Sequence, residues 1–238
     1  MRAVSPARQA PPAGLEPATH GLEGHRLLRI GTTEGIGANL NLLLGRFAEE
    51  RPNVGVHLHA IHTPAKLRAV RDADLDVAFV REPADASGLR VGELWSEPLV
   101  AVLPAGHALA ARASVALREL SSLPLLLGPR STNPGMHDLL LALCREAGLE
   151  PRLGPPLVSV QEALATISTG AAWTLLTAAN APRRMRGVTV RTVSDPAAQI
   201  GVDLAWRAAG ASPLARTFID LVLRARDQGE LADAADST

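Results

Sequence analysis

The sequence has few of the residues on which several kinds of functional site depend. It contains a single cysteine, Cys144, which excludes a disulfide framework and a zinc site of paired cysteines. Three Trp, three Phe and no Tyr leave few aromatic faces, whereas proteins that bind single-stranded nucleic acid stack bases on such faces. No apolar run approaches the roughly 20 residues of a membrane-spanning helix. Cys144 stands in an apolar stretch, which favours a buried, unreactive thiol over a redox sensor.

The charges of the chain cancel. The 24 basic residues equal the 24 acidic ones in number, which does not favour a broad basic face for nucleic acid. The sequence has one lysine, Lys66, and 23 arginines. Lys66 is therefore the single candidate for a Schiff-base lysine. The first residues carry no basic-then-apolar secretion signal, so we expect a cytoplasmic protein without membrane contact.

The pattern of apolar residues divides the chain. Residues 1–25 are rich in proline and glycine and have no apolar periodicity, so we expect a disordered tail. In 36–50 apolar residues recur at helical spacing, and Thr63-Pro64 is typical of a helix start. Strands are predicted at 27–31, 54–61, 75–80 and 98–103. This alternation of strands and helices predicts a parallel sheet covered by helices.

A second α/β unit is predicted in the middle of the chain. Its strands are expected at 124–127, 156–158 and 173–176, and its helices at 134–147, 161–169 and 178–184. Two more strands, at 188–193 and 200–206, precede an amphipathic helix at 213–226. Composition and periodicity thus predict an α/β chain of two units.

The common catalytic motifs are missing from the sequence. It contains no P-loop, no nucleophile elbow, no Gly-rich dinucleotide turn and no HExxH pattern. Asp74 and Asp76 form an acidic pair beside a predicted turn, and we interpret them as solvated or capping carboxylates. We therefore expect neither an enzyme nor a cofactor.

Five segments carry a more specific pattern. In chain order they are LRIGTTEGIGANLNLLLGRFAEERPNVGVHL, LRAVRDADLDVAFV, LWSEPLVAVLPAGHALA, VQEALATISTGAAWTLL and VDLAWRAAGASPLARTFIDLV. Each is weak alone, but together, in this order and spacing, they resemble the effector-binding domain of LysR-type transcriptional regulators over about residues 27–226. The chain departs from the family pattern at Ala108, Ala172 and Trp173. Trp173 fills the core or forms a pocket wall, and its size and apolar character favour the core.

The resemblance implies an α/β fold of the type 2 periplasmic-binding-protein kind, with two α/β lobes joined by two crossing strands. It assigns residues 26–102 and 203–230 to lobe I and residues 103–202 to lobe II, with 231–238 as a tail. A cleft between the lobes holds the ligand. The family also carries an N-terminal winged helix-turn-helix, for which residues 1–25 are too short, so we expect no direct DNA binding by this chain.

We expect the ligand site at turns that follow strands, because ligands of open parallel sheets bind beyond the carboxyl ends of the strands. In the first turn Thr32 and Thr33 either cap the next helix or contact the ligand. Glu34 beside them would repel an anion unless it points outward or meets an amine. In the second turn Thr63 is the predicted helix cap, and His62 can face the cleft.

Two turns of the second unit complete the predicted site. In the first, Arg130 can fork onto a carboxylate; a surface loop or an internal ion pair is the alternative, and the family's use of this loop favours ligand contact. In the second, Ser159 and Glu162 have capping-box spacing, but Ser159 can also line the pocket. The predicted contacts are Thr32, Thr33, His62, Thr63, Arg130, Ser131, Thr132, Ser159 and Thr174.

The histidines His57, His59 and His62 raise the question of a metal site. No carboxylate or fourth ligand follows them at a spacing typical of metal sites, so we expect no metal. The resemblance implies instead that the strand edge near 54–61 packs against a second subunit, as in a homodimer.

The resemblance thus implies a domain that senses a small-molecule effector. The scarcity of aromatic residues favours a small polar or anionic effector over a stacked ring. A solute-binding protein of a transport system is the alternative, and the missing secretion signal disfavours it.

Overall fold

The structure, a computed structural model, describes residues 26–157 and 159–231. The expected tails therefore lie outside the described residues, except for Leu231, which packs in a buried position against the first hydrophobic core. Within the described part no helix is long and apolar enough to cross a membrane.

The described residues form eight strands and five α-helices. The strands are β1 Arg26–Thr32, β2 Val54–Ala60, β3 Val77–Val80, β4 Leu89–Pro104, β5 Ser114–Val115, β6 Thr174–Thr177, β7 Val188–Val193 and β8 Gln199–Arg207. The helices are α1 Gly37–Glu50, α2 Thr63–Arg71, α3 Pro134–Glu146, α4 Val160–Ser168 and α5 Pro213–Asp227. Short 3-10 helices occupy Ala108–Ala111, Leu117–Leu120 and Ala178–Asn180.

The strands form a continuous sheet in the order β2-β1-β3-β8-β4-β7-β5, and β6 also pairs with β4. As predicted, β1 runs parallel to both β2 and β3. The long strands β4 and β8 are antiparallel partners over most of their length. They are the crossing strands, because β4 pairs with β8 in its first part and with β6 and β7 in its second part.

The crossing strands connect two hydrophobic cores. Trp95 on β4 and Val202 on β8 pack in the core that α1 and α5 cover. Leu99 and Ile200, a few residues away, pack in the core of the second unit. On β4, the change from the first core to the second therefore lies a few residues before the boundary at 102 that the resemblance implies. On β8, the change lies next to the implied boundary at 203.

Four predicted elements differ in the structure. The strand predicted at 98–103 begins at Leu89, because its earlier part pairs with β8. Residues 124–127 form only isolated bridges through Leu125. Of the strand predicted at 156–158, positions 156 and 157 are not in a strand, and position 158 lies outside the described residues. The helix predicted at 178–184 is only the 3-10 helix Ala178–Asn180, because Pro182 has no backbone N–H with which to continue it.

Several buried side chains bear on the earlier interpretations. Trp173 is completely buried and its indole N–H donates to the carbonyl oxygen of Leu123 at 3.1 Å, which confirms the core interpretation. Cys144 is completely buried as well, and burial raises the pKa of its thiol to about 11. Asp76 is not solvated: it is buried and accepts hydrogen bonds from the backbone N–H and Nε of Arg29.

Candidate functional site

A cavity of about 430 Å³ lies between the two units, where β1 and β2 end opposite the loop that precedes α3 and the start of α4. Seven of the nine predicted contacts line it: Thr32, Thr33, His62, Thr63, Thr132, Ser159 and Thr174. The rule that ligands bind beyond the carboxyl ends of parallel strands therefore leads to this cleft. Contact of these residues with a ligand remains a prediction.

Arg130 and Ser131 do not line the cleft. The exposed guanidinium of Arg130 pairs with the carboxylate of Asp138, with N–O distances of 2.8 and 2.6 Å. This hydrogen-bonded pairing raises the pKa of Arg130 and lowers that of Asp138. Of the alternatives to ligand contact, the structure therefore has the surface loop, in which the exposed Arg130 pairs with Asp138 of α3.

The threonines of the first turn do not cap a helix. Helix α1 begins after Ile36, and no side chain caps it. The Thr33 hydroxyl accepts from Nη1 of Arg81 at 3.3 Å, and the Thr32 hydroxyl donates to the Thr33 carbonyl. Both threonines are thus held at the cleft, and Glu34, although exposed, lines it as well.

The other predicted helix caps differ from one another. His62, and not Thr63, precedes the first residue of α2, and no side chain caps that helix. Ser159 does cap α4, since its Oγ accepts from the backbone N–H of Glu162 at 3.2 Å. The Thr174 hydroxyl donates to the carbonyl oxygen of Leu126 at 2.7 Å and so fixes β6 beside the cleft.

Lys66 is a cleft residue that the sequence analysis did not place there. It is 1% exposed, and its Nζ donates to the carbonyl oxygens of Thr32 at 3.1 Å and Phe79 at 2.8 Å. No carboxylate among the described residues pairs with it. Burial, together with the charge of Arg81, lowers its pKa to about 8. The sequence feature that could have identified Lys66 as buried is its helical spacing. The buried face of α2 consists of Thr63, Lys66, Leu67 and Val70.

Arg81 is the second buried cation of the cleft. It is 4% exposed and donates from Nη2 to the buried carboxylate of Glu97 at 2.6 Å. Its Nη1 donates to the carbonyl oxygen of Glu34 at 2.7 Å, and its Nε has no partner. Arg81 comes directly after β3 and Glu97 belongs to β4, so their ion pair joins the cleft to a crossing strand.

The second unit supplies an apolar wall. It consists mostly of leucine, valine and methionine side chains from the loop before α3, from α3 and α4, and from β6: Leu127, Met136, Leu140, Leu157, Val160, Ala163, Leu175 and Leu176. Two polar residues of the same unit, Thr177 and Asn180, also line the cavity, and the buried hydroxyl of Thr177 has no hydrogen-bond partner. The cleft thus has a cationic side and an apolar side.

Backbone contacts join the two sides at the rim of the cleft. The N–H of Thr63 donates to the carbonyl oxygen of Thr132 at 3.2 Å. The side-chain amide of Asn133 donates to the carbonyl oxygen of Arg81 at 3.1 Å. At Gly135 the backbone of α3 lies so close to Glu82 that a Cβ would be 1.9 Å from its carbonyl oxygen. The lobes therefore touch directly at this rim.

The histidine pair lies away from the cavity. The rings of His57 and His59 are 4.2 Å apart on the edge strand β2. Burial, His57 and Arg29 lower the pKa of His59. In the part of the chain that the structure describes, no group of three His, Cys, Asp or Glu residues is placed to hold a metal ion.

The sequence profile of the LysR substrate binding domain matches residues 22–227. The chain belongs to this family. TfdS, a transcriptional regulator of Cupriavidus pinatubonensis, is 28% identical over 186 residues, which cover 78% of this chain and 63% of TfdS. IlvR, a regulator of Caulobacter vibrioides, is 29% identical over 76% of this chain and 61% of its own length. The chain thus spans less than two thirds of these two relatives.

Solved LysR structures share the fold. The effector-binding domain of a BenM variant has a TM-score of 0.75 at 20% identity, with 88% of this chain and 98% of that chain covered. The C-terminal domain of a probable LysR regulator from Rhodococcus sp. RHA1 has a TM-score of 0.69 at 27% identity, over 84% and 99% of the two chains. The fold and the family confirm a LysR effector-sensing domain, and they do not favour the transport alternative. The relatives are regulators and not enzymes.

Proposed function

We propose that this LysR domain senses a small carboxylate, bound between its lobes. The observation that carries the proposal is the ammonium of Lys66, which is buried at the cleft without a carboxylate partner among the described residues. An unpaired charge costs several kcal/mol to bury. An anionic ligand supplies the missing opposite charge, and two of the three donors of the ammonium are already fixed by carbonyl oxygens.

The apolar wall narrows the class of carboxylate. A ligand whose carboxylate lies near Lys66 and Thr32 extends towards leucine and methionine side chains on the other side. No Trp, Phe or Tyr is among the described residues that line the cavity. The ligand therefore needs a compact apolar body, such as a short branched or cyclic carboxylic acid. The effector-binding domain of BenM, which has been solved with its effector benzoate, is a precedent for a carboxylate in this fold.

The ligand acts by holding the lobes together. Thr32, Thr33, His62 and Thr63 approach it from lobe I, and Thr132, Ser159 and Thr174 from lobe II. Because one ligand satisfies both sets only when the lobes are close, it shifts the equilibrium towards the closed form, by movement about β4 and β8. Arg130 and Ser131 are not part of this set. In a complete cytoplasmic regulator the shift is transmitted to DNA-binding heads.

A thermal-shift screen of small carboxylates tests the proposal. Ligands that bind only the folded protein raise its melting temperature by mass action. We expect hits among carboxylates of four to eight carbons, and none among the corresponding primary amides and amines. Thr32→Ala should reduce the shift of each hit. Stabilisation by the amides to the same extent as by the acids would contradict the proposal.

A further inference from the structure

A basic segment lies in the second unit, outside the cleft. Residues 182–191, here called the arginine turn, connect the 3-10 helix Ala178–Asn180 to β7 and form much of that strand. The turn carries Arg183, Arg184, Arg186 and Arg191, and no acidic residue occurs between positions 181 and 194. The zero net charge of the chain therefore conceals a strong local concentration of positive charge.

The charges of the arginine turn are not neutralised. Throughout residues 26–157 and 159–231, none of its four arginines forms an ion pair. Arg191 donates to the backbone carbonyl oxygens of Ala110 and Val190 only. Some exposed arginines elsewhere pair, as Arg130 does with Asp138 and Arg112 with Glu119. Others are unpaired but lie far apart in the sequence, whereas the turn places its unpaired arginines in one concavity and is therefore a site of uncompensated positive potential.

The shape of the turn suits an extended anion. All four arginines line one open concavity of about 470 Å³, together with Pro182, Met185 and residues of β7. Arg183, Arg184 and Arg186 are exposed. The planar fork of a guanidinium matches the oxygens of a phosphate. The concavity has no aromatic side chain on which a base could stack, so its contacts are with backbone phosphates and not with bases.

We propose that the arginine turn binds the phosphate backbone of double-stranded DNA, independently of its sequence. Repeated phosphates along a duplex match several unpaired guanidiniums better than an acidic peptide does, because a peptide gains stability from apolar anchor pockets and this concavity offers mainly valine and Met185. The contact differs from sequence reading by a DNA-binding helix, because phosphate contacts carry no direct sequence information. Asn180, which lines the effector cleft, lies three residues before Arg183.

The test is the binding of a fluorescent duplex of about 30 base pairs and arbitrary sequence, followed by anisotropy at several salt concentrations. We expect the wild-type chain to bind at low salt. The variant R183A/R184A/R186A should bind at least about tenfold more weakly. The slope of its log affinity against log salt concentration should be smaller in magnitude by about two to three, since each phosphate contact contributes about 0.9 to that slope and the variant lacks three arginines.

A matched control removes the same charge from scattered places. Arg68, Arg90 and Arg118 are exposed and form no ion pair in the described part of the chain, so R68A/R90A/R118A should bind the duplex nearly as the wild type does. Equal weakening by both triple variants, or no wild-type binding at low salt, would overturn the proposal. The proposal would also be overturned if poly-glutamate displaced the fluorescent duplex from the protein as effectively as unlabelled duplex does, because that result would indicate an acidic protein partner. Circular dichroism melts check that both variants fold.

Discussion

Lys66 is where the chemistry of single residues departs most from what the sequence suggested. Its isolation among 23 arginines drew attention to it, but the predicted site was assembled from turns, and Lys66 is on a helix face. From the cleft-facing side of α2 its long side chain reaches back under β1 to the carbonyl oxygen of Thr32. A helix position can be predicted from periodicity, but the reach of a side chain across a sheet depends on tertiary packing.

Replacement of Lys66 by methionine tests its role directly. Methionine keeps the length and apolar stem of the side chain, so Lys66→Met should remove the charge without a large cavity. A hydrogen bond to a charged group contributes about 1.5–3 kcal/mol, so we expect the affinity for a carboxylate ligand to fall by about 10- to 100-fold in isothermal titration calorimetry. The control is Arg68→Met, an exposed position of the same helix, which should leave the affinity unchanged. An unaltered affinity of Lys66→Met would remove Lys66 from the site.

The pH dependence of binding follows from the same residue. Burial and Arg81 lower the pKa of Lys66 to about 8 in the free domain, and a bound carboxylate raises it again, because it favours the charged ammonium. Binding therefore takes up a proton above pH 8, and the affinity should fall as pH rises from about 8, by up to tenfold per pH unit. Below pH 8 Lys66 contributes no such dependence. Titrations from pH 7 to 10 should show this decline in the wild type and not in Lys66→Met.

For Arg130 we predict the opposite result, namely that its replacement leaves ligand affinity almost unchanged. Its guanidinium is exposed, paired with Asp138 and outside the cavity, so Arg130→Ala should change the affinity for a carboxylate by less than about twofold in the same calorimetry. The sequence offered no way to decide this, because a residue in a polar loop can face either side of it. A loss of affinity as large as that of Lys66→Met would mean that the loop turns inward when the ligand binds.

At the scale of elements, the sequence predicted helices and strands well where apolar residues dominate the buried face of the element. The helices α1, α3, α4 and α5 begin and end within a residue of prediction, because apolar spacing acts locally. Side chains also cap α3, α4 and α5, whereas none caps α1. The strand β4 was predicted to be far shorter than it is, since its first nine residues alternate weakly and are strands only through pairing with β8. Long-range pairing of that kind has no local signature.

The rim contact at Gly135 depends on the absence of a side chain. A Cβ there would lie 1.9 Å from the carbonyl oxygen of Glu82 on the opposite lobe, so Gly135→Ala should force the lobes apart. We expect a larger radius of gyration in small-angle X-ray scattering and weaker ligand binding, because the closed form becomes less populated. Gly45→Ala is the control: it lies in α1 with nothing near its Cβ position, and alanine favours a helix. Equal scattering profiles for both variants and the wild type would contradict a closed rim.

At the scale of the whole molecule, several exposed large apolar residues lie in lobe I. Five apolar side chains on or beside β1, α1 and β2 are between 36% and 42% exposed: Leu27, Leu42, Val56, Leu58 and Ile61. The strand β2 lies at the end of the sheet, and no strand among the described residues pairs with its outer edge. Exposed apolar side chains and open strand edges both favour association, which supports the homodimer that the resemblance implies through the strand edge near 54–61.

A charge placed in this patch should separate the subunits. Leu58 is 40% exposed at the middle of β2, and burying a glutamate at an apolar contact costs several kcal/mol, so Leu58→Glu should weaken dimerisation at least tenfold in sedimentation equilibrium. Met185→Glu is the matched control, since Met185 is 39% exposed but lies in the arginine turn of the other lobe. The two variants should bind a carboxylate equally well, because neither residue lines the cleft. A wild-type monomer at high concentration, or equal weakening by both glutamates, would place the interface elsewhere.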